Sequence, residues 1–407
     1  MALNTQDLVG DKSVIETIKG RLIRIFHGRD PLGEGGLLTK IFLPQLLPVA
    51  LLVIYGTVVV WSASLTIADA SFSRHVIGIA VGLVAAIFVW RYDYRGLANY
   101  TIPLLILDVL LILSPKIPGI GVEAKGMLGW VRVPILRFTF QPAELAKIIT
   151  IIVVAGVAAE YNGKVETLKD YVKLCASVFV PFAAIMMQPD LGTALIVMVA
   201  GATIIICAGA PARWVLVTIG LIVGFAAAVV ITSSMEGMPH LLKEYQLNRL
   251  IVFMDPSVDP TGVGYNLQQA KIAVGSGGIF GKGIGNATQS ASGFLPEAHT
   301  DFVFALLAEE FGFMGAIALL ALFAWMIYAT LALAGRIEST FSRLMLVGVI
   351  AMWAFQLLQN IGMCIGIMPI TGIPLPFISF GSTSMVVQLM AVGLVQSAWR
   401  HAVRHTL

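Results

Sequence analysis

Long apolar segments follow one another along almost the whole chain, from about residue 41 to residue 399. Each supplies roughly the 20 residues that an α-helix needs to cross the hydrocarbon core of a bilayer. Only 12% of the 407 residues are charged, about half the fraction found in soluble domains. The chain is therefore predicted to be an all-α integral membrane protein.

We predict ten transmembrane helices, which form one membrane domain over residues 41–400. Their approximate ranges are 41–63, 75–91, 98–115, 141–159, 170–188, 190–208, 213–233, 303–334, 343–367 and 375–399. Polar tails flank the domain at 1–40 and 401–407. A long loop, 234–302, separates the seventh helix from the eighth, and its apolar spacing predicts short amphipathic helices on the membrane surface.

The distribution of basic residues predicts the orientation. Sixteen of the 26 Lys and Arg residues lie in the tails and in the loops after even-numbered helices, and nine lie in the opposite loops. Positively charged loops stay on the cytoplasmic side, so both termini are predicted to be cytoplasmic and loop 234–302 to face outward. The net charge of +3 comes without basic clusters, which gives no indication of nucleic-acid binding.

The outer loop contains two Asp-Pro pairs in the stretch FMDPSVDPTGVGYNLQQA, residues 253–270. The second pair begins the sequence Asp259-Pro260-Thr261-Gly262, which fits a type I turn. Two interpretations remain open. Asp259 is a turn residue, or the rigid turn holds its carboxylate at a fixed height beside the membrane, as a general base requires.

A glycine-rich run, GSGGIFGKGIGN, occupies residues 275–286. It lacks the first glycine of a phosphate-binding loop, and Lys282 is followed by Gly283 rather than by Ser or Thr. We therefore interpret these glycines as residues that let the backbone fold tightly at the membrane surface. Lys282 remains a candidate for contact with an anionic lipid headgroup.

Four of the charged residues within or at the start of predicted spans are candidates for a specific role. Glu144 and Lys147, in FQPAELAKIIT, are three residues apart and share one helix face. They form either a neutralising structural pair or part of a substrate cavity. Asp190 stands at a helix start, where a carboxylate favours the helix dipole. The sequence gives no specific account of Asp108.

Two further stretches carry polar or irregular features. FLPEAHTDF places Glu297, His299 and Asp301 just before the eighth span. A metal site usually needs three or four ligands, so a histidine that fixes the loop by hydrogen bonding is the preferred interpretation. MPITGIPLPFISFGSTS, residues 368–384, is rich in proline and glycine and predicts a broken helix or re-entrant turn beside a cavity.

Five stretches, taken together and in this order, resemble the SEDS family (shape, elongation, division and sporulation proteins). They are FQPAELAK, QPDLGTAL, DPTGVGYNLQQAKIAVGSGGIFGKG, FLPEAHTDFVFALLAEEFG and TGIPLPFIS. The resemblance runs from Trp61 to the C-terminus and so includes all ten predicted spans. Within the family, the chain is more similar to the elongation branch than to the division branch.

The resemblance implies a peptidoglycan glycosyltransferase that polymerises lipid II at the outer face of the bacterial cytoplasmic membrane. The family's essential acidic residue corresponds to Asp259, which would act as general base. The family helix that carries Glu and Lys corresponds to Glu144 and Lys147. Asp190 and Trp130 match other recurrent positions.

Arg74 matches a basic position of an outer loop. One departure concerns the arginine that commonly precedes the tryptophan, which is Gly129 here; Arg132 or Arg137 would have to replace it. The undecaprenyl diphosphate leaving group gathers negative charge, for which Lys147, Arg74, Lys282 or a divalent cation (Mg²⁺ or Mn²⁺) are the candidates. No organic cofactor is implied.

The partners implied by the resemblance are the growing glycan chain, a class B penicillin-binding protein that cross-links it, membrane proteins of the elongation complex and membrane lipids. Three alternatives stay open. The chain is a flippase of the lipid-linked precursor, a scaffold that recruits a synthase, or a division rather than an elongation enzyme.

Overall fold

The computed structural model of the chain describes residues 40–67, 69–124, 127–133, 138–233 and 244–403. The predicted tails fall almost wholly outside these ranges, as do Arg137 and residues 234–243, the first part of the long loop.

The described chain is mostly helical. Its α-helices, in chain order, are α1 (Leu43–Thr66), α2 (Phe72–Arg91), α3 (Thr101–Leu113), α4 (Pro142–Ala159), α5 (Leu168–Met186), α6 (Leu191–Cys207), α7 (Ala212–Ser233), α8 (Glu244–Met254), α9 (Val263–Ser276), α10 (Thr288–Ala291), α11 (Val303–Ala334), α12 (Thr340–Ile365) and α13 (Ser382–Val403). Short 3₁₀ helices lie at Tyr94–Tyr100, Ser114–Lys116 and Pro256–Val258. Three short strands are β1 (Gly121–Ala124), β2 (Met127–Val133) and β3 (Phe138–Phe140).

A long helix coincides with each of the ten predicted spans. By length and composition, seven helices in the described part of the chain are apolar enough to cross a membrane. The remaining three are α5, α6 and α13, of which α6 is apolar but only 17 residues long. The chain is thus a multi-pass membrane protein, and the exact number of crossings stays a prediction.

The all-α prediction is confirmed by the helices above. A small antiparallel sheet in the order β1-β2-β3 is an addition to it. It lies between α3 and α4, and Trp130 on β2 stands opposite Val122 on β1. Strands of three to seven residues carry too little alternation to be recognised between two long apolar segments.

The centre of the bundle is α4. It packs against α3, α5, α6 and α12, and nearly all of its residues are buried. Pro142 opens this helix, where the missing N–H of proline costs no hydrogen bond. In contrast, α7 exposes almost its whole apolar surface, as a helix in contact with lipid does.

The long helix α11 is broken at Gly312, whose φ is 66° and ψ −163°, a conformation that favours glycine. The glycine-rich run fills this break. The N–H groups of Lys282 and Gly283 donate to the carbonyls of Glu309 and Glu310, at 2.9 and 3.0 Å. The run therefore satisfies backbone groups that the break leaves without helical partners, a structural role that the sequence interpretation did not foresee.

This docking of the glycine-rich run into the break of α11 predicts that substitutions at two glycines of the run have different effects on stability. A Cβ on Gly277 would lie 1.9 Å from the carbonyl oxygen of Ala308, whereas a Cβ on Gly275 would meet no atom within 4 Å. We expect Gly277→Ala to destabilise the protein by about 1–3 kcal/mol through overpacking. Gly275→Ala, the matched control in α9, should leave stability unchanged or raise it by up to ~1 kcal/mol. Thermal unfolding of the purified variants would measure both, and equal effects would contradict this docking.

The described part of the outer loop forms the helices α8 and α9 and the short helix α10, with a 3₁₀ helix between α8 and α9. The apolar face of α9, with Leu267, Ala270 and Ala273, is buried against α11 and α12. The prediction of helices was right, but α9 packs on the bundle rather than on the lipid surface. The last predicted span began too early, since the backbone is irregular from Gly366 to Gly381 and α13 begins at Ser382.

Candidate active site

The carboxylate of Asp259 is held at the N-terminus of α9. Its Oδ1 accepts a hydrogen bond from the N–H of Gly262 at 2.9 Å, and its Oδ2 accepts one from the N–H of Val263 at 2.8 Å. The side-chain amide of Asn248, on α8, donates to Oδ2 at 2.9 Å. Asp259 is therefore a turn residue, as the first interpretation held, and its position is also fixed, as the second requires.

These donors favour the ionised form of the side chain. The pKa of Asp259 lies below its usual value, chiefly because the N–H of Val263 donates to the carboxylate and next because the amide of Asn248 does so. Gly262 permits the arrangement, since a Cβ there would lie 2.5 Å from Oδ2 of Asp259. The carboxylate is a partly buried anion fixed by donors on two helices.

Glu144 and Lys147 form a buried ion pair near the start of α4. The Nζ of Lys147 lies 2.8 Å from Oε2 of Glu144, and the two side chains are 0% and 5% exposed. The predicted pairing on one helix face is confirmed in its geometry. A complete ion pair in the centre of the bundle is a costly feature, so it needs either a structural or a catalytic reason.

Asp190 caps α6, as predicted. Its Oδ1 accepts from the N–H of Thr193 at 3.0 Å, and its Oδ2 accepts from the Thr193 hydroxyl and from Gln141. Gln141 immediately precedes α4, and Asp190 lies within electrostatic range of Glu144 and Lys147. These three predicted residues therefore form one group, here called the α4 polar group.

The irregular segment 366–381 approaches both the α4 polar group and the helix that carries Asn248. A Cβ on Gly192 would lie 3.0 Å from the carbonyl oxygen of Thr371 and 3.6 Å from Oδ1 of Asp190. A Cβ on Gly372 would lie 3.1 Å from Oδ2 of Asp301 and 4.0 Å from Nη1 of Arg249. Since Arg249 adjoins Asn248, one irregular segment touches the surroundings of both polar sites.

This architecture has clear relatives. The profile of the cell cycle protein family that comprises FtsW, RodA and SpoVE matches residues 44–404. The chain belongs to this family. The peptidoglycan glycosyltransferase MrdB of Escherichia coli K12 is 36% identical, over 88% of this chain and 93% of its own. A probable peptidoglycan glycosyltransferase FtsW of Trichlorobacter lovleyi is 33% identical, over 86% and 91%.

A solved structure supports the same assignment. It belongs to work on the structural coordination of polymerization and crosslinking by a peptidoglycan synthase complex. One of its chains is 29% identical to this FtsW/RodA/SpoVE family member, with a TM-score of 0.71 over 88% of this chain and 97% of that one. The fold described above is therefore the fold of the family.

In this family member, Lys282 belongs to the contact between the glycine-rich run and the break in α11. It is not part of the α4 polar group. Its Nζ lies 2.6 Å from Oε1 of Glu309 and 2.7 Å from the hydroxyl of Thr288. Its side chain is 27% exposed, so it is paired and still reachable from outside. A role at an anionic group stays a prediction.

The other predicted residues stand at separate places. Arg74 is exposed at the start of α2, and its carbonyl accepts from the Ser382 hydroxyl at the start of α13. Trp130 lies on β2 and is partly exposed. The ring of His299 packs on Phe380, and the His299 carbonyl accepts from the Phe380 N–H at 2.8 Å. The backbone carbonyl and the ring of His299 thus attach its loop to the irregular segment; the hydrogen-bonding role of its side chain stays a prediction.

The structure adds polar residues that the sequence reasoning missed. Glu309 is buried and accepts from the N–H groups of Thr288 and Gln289, and Glu310 accepts from the Ser62 hydroxyl and from the N–H of Gly285. The adjacent acids in an apolar segment were the available signal. Asp108 is fully buried and accepts from the Thr150 hydroxyl at 2.7 Å.

Among the described residues, no group of three or more His, Cys, Asp or Glu side chains is placed to hold a metal ion. Mg²⁺ in phosphate chemistry is commonly bound by one or two carboxylates together with substrate oxygens. A cation here would therefore depend on the diphosphate of the substrate for its remaining ligands.

Proposed function

We propose that this chain polymerises lipid II into glycan strands at the outer face of the cytoplasmic membrane, with Asp259 as the general base. One observation carries the proposal. Asp259 is an ionised carboxylate fixed on α9, a helix that is packed on the membrane bundle. The named activities of the family members from Escherichia coli and Trichlorobacter lovleyi support the same reaction.

The reaction joins two saccharides. The 4-hydroxyl oxygen of one sugar forms a bond to the anomeric carbon of the other, and the bond from that carbon to undecaprenyl diphosphate breaks. The hydroxyl proton passes to Asp259, and the electron pair of the broken bond leaves with the diphosphate. The configuration at the anomeric carbon inverts. Because Asp259 is a weak base, it accepts the proton as the new bond forms.

The leaving diphosphate needs positive charge close by. Lys147, held by Glu144 in the buried α4 polar group, is our first candidate; Arg74 and Lys282 lie on more exposed surfaces. Asp190 caps the neighbouring helix and so positions this group. A divalent cation, Mg²⁺ or Mn²⁺, would supply further charge at the diphosphate oxygens.

The proposed cellular setting has two parts. Both termini are cytoplasmic, as the distribution of basic residues predicts, and a class B penicillin-binding protein cross-links the product, a proposal that the complex of polymerization and crosslinking supports. We propose an elongation role together with other elongation proteins of the membrane. The similar identities to MrdB and to FtsW, 36% and 33%, leave a division role as the alternative.

The decisive assay uses purified full-length protein and labelled lipid II in lipid nanodiscs. Reactions contain Mg²⁺ or Mn²⁺, with and without the class B penicillin-binding protein. We expect long glycan strands on a gel, and we expect a muramidase to digest them. If every condition gives no strands while liposomes containing the protein transport lipid II, the flippase alternative replaces this proposal.

The lowered pKa of Asp259 predicts a pH profile. A depressed pKa keeps the carboxylate ionised as the pH falls, and the base is lost only below the ordinary Asp value of about 3.9. Protonation of Asp259 should therefore not limit the strand-forming rate between about pH 5 and 8. Initial rates at saturating lipid II would test this. A fall in the wild-type rate towards acid pH that is centred near pH 6, and that is absent from the Asp259→Glu variant, would contradict this prediction.

A further inference from the structure

We propose that Asn248 is a positioning residue that orients the Asp259 carboxylate from α8, an inference that rests on the function proposed above. Asn248 is not part of any motif noted in the sequence. It stands 11 residues before Asp259, and it reaches the carboxylate only because the chain reverses between α8 and α9.

The donors to Asp259 come from two places. The N–H groups of Gly262 and Val263 belong to the turn that Asp259 itself begins, and they close that turn. The amide of Asn248 is the donor from another helix among the described hydrogen bonds to this carboxylate. The bonds from Gly262 and Val263 close the turn without Asn248. The Asn248 amide therefore sets the orientation of a carboxylate whose place in the turn is already determined.

The two oxygens of the Asp259 carboxylate accept hydrogen bonds from different donors. Oδ2 accepts from both Val263 and Asn248, whereas Oδ1 accepts from Gly262, and the N–H of Thr261 also donates to the carboxylate. A carboxylate oxygen offers about two acceptor positions. Asn248 therefore fills the second position on Oδ2 and directs an incoming hydroxyl proton away from that oxygen.

The helix that carries Asn248 is anchored on the bundle side. Val252, one turn further along α8, is 1% exposed. Arg249 and Asp301, of opposite charge, converge on Gly372 in the irregular segment. Because Arg249, the next residue, approaches Gly372 in the irregular segment, the position of Asn248 relative to the bundle is also fixed. An orienting donor needs such support, because a loose one loses its geometric effect.

The test compares three full-length variants in the strand-forming assay with lipid II. Asn248→Ala removes the donor, and Asn248→Lys replaces it with an ammonium donor. Ser257→Ala is the matched control, because the Ser257 hydroxyl donates to Asp255, the acid of the first Asp-Pro pair, at 2.6 Å. Steady-state kcat and KM and the unfolding temperature are measured for each.

We expect Asn248→Ala to lower kcat by about ten-fold or more, as loss of a hydrogen bond to a charged group does, with KM and the unfolding temperature nearly unchanged. Asn248→Lys should recover most of kcat, and Ser257→Ala should match wild type. Wild-type kcat in Asn248→Ala overturns the inference and leaves the proposed function standing. So does a loss of kcat that a lower unfolding temperature accounts for. A wild-type protein that forms no strands overturns both.

Discussion

Asp259→Asn should reduce strand formation from lipid II by at least about 100-fold, the lower range for loss of a general base. The asparagine side chain keeps one oxygen, which can accept from the N–H of Gly262 or of Val263, so the turn keeps one of these two hydrogen bonds and the variant should fold. It cannot take up a proton at neutral pH. The measurement is the initial rate of strand formation, with the unfolding temperature as evidence of folding.

The first Asp-Pro pair offers a matched control. Asp255 precedes Pro256 as Asp259 precedes Pro260, and its Oδ1 accepts from the N–H and hydroxyl of Ser257. Its side chain is exposed, and its contacts are confined to its own turn. Asp255→Asn should therefore keep the wild-type rate. Equal rates in wild type and Asp259→Asn would remove Asp259 from the mechanism.

Local sequence patterns were sufficient where the interaction is local. The ion pair of Glu144 and Lys147 spans one helical turn, and the cap at Asp190 bonds to Thr193 three residues ahead. Periodicity and hydropathy likewise located the long helices. In these cases the residues that interact are neighbours in the chain, so their spacing contains the necessary information.

Interactions between distant residues could not be predicted in this way. The glycine-rich run was predicted to fold tightly at the membrane surface, but it packs into a break in α11, where Lys282 contacts Glu309, 27 residues further along the chain. The bond of Thr150 to Asp108 joins residues 42 apart, so local patterns could not assign a role to Asp108. The donation from Asn248 to Asp259 depends on how two helices pack. A single sequence specifies such contacts only through the complete fold.

The buried pair on α4 leads to the second large prediction. Lys147→Met should destabilise the protein by about 3–5 kcal/mol, because it leaves the Glu144 carboxylate buried without its partner. The matched control is Lys173→Met. Lys173 pairs with Glu160 at 2.7 Å, but these side chains are 51% and 50% exposed, so its loss should cost less than about 1 kcal/mol.

The double variant Glu144→Gln with Lys147→Met separates the structural from the catalytic reading of the pair. Replacement of both charges removes the unpaired ion, and such exchanges of buried pairs are often neutral for stability. We expect the double variant to regain stability while strand formation stays below a tenth of wild type, because Lys147 no longer balances the diphosphate charge (an effect of about 1.4 kcal/mol or more). Recovery of both stability and rate would show that the pair is purely structural. Arg74 and Lys282 would then be the candidates for the positive charge beside the diphosphate.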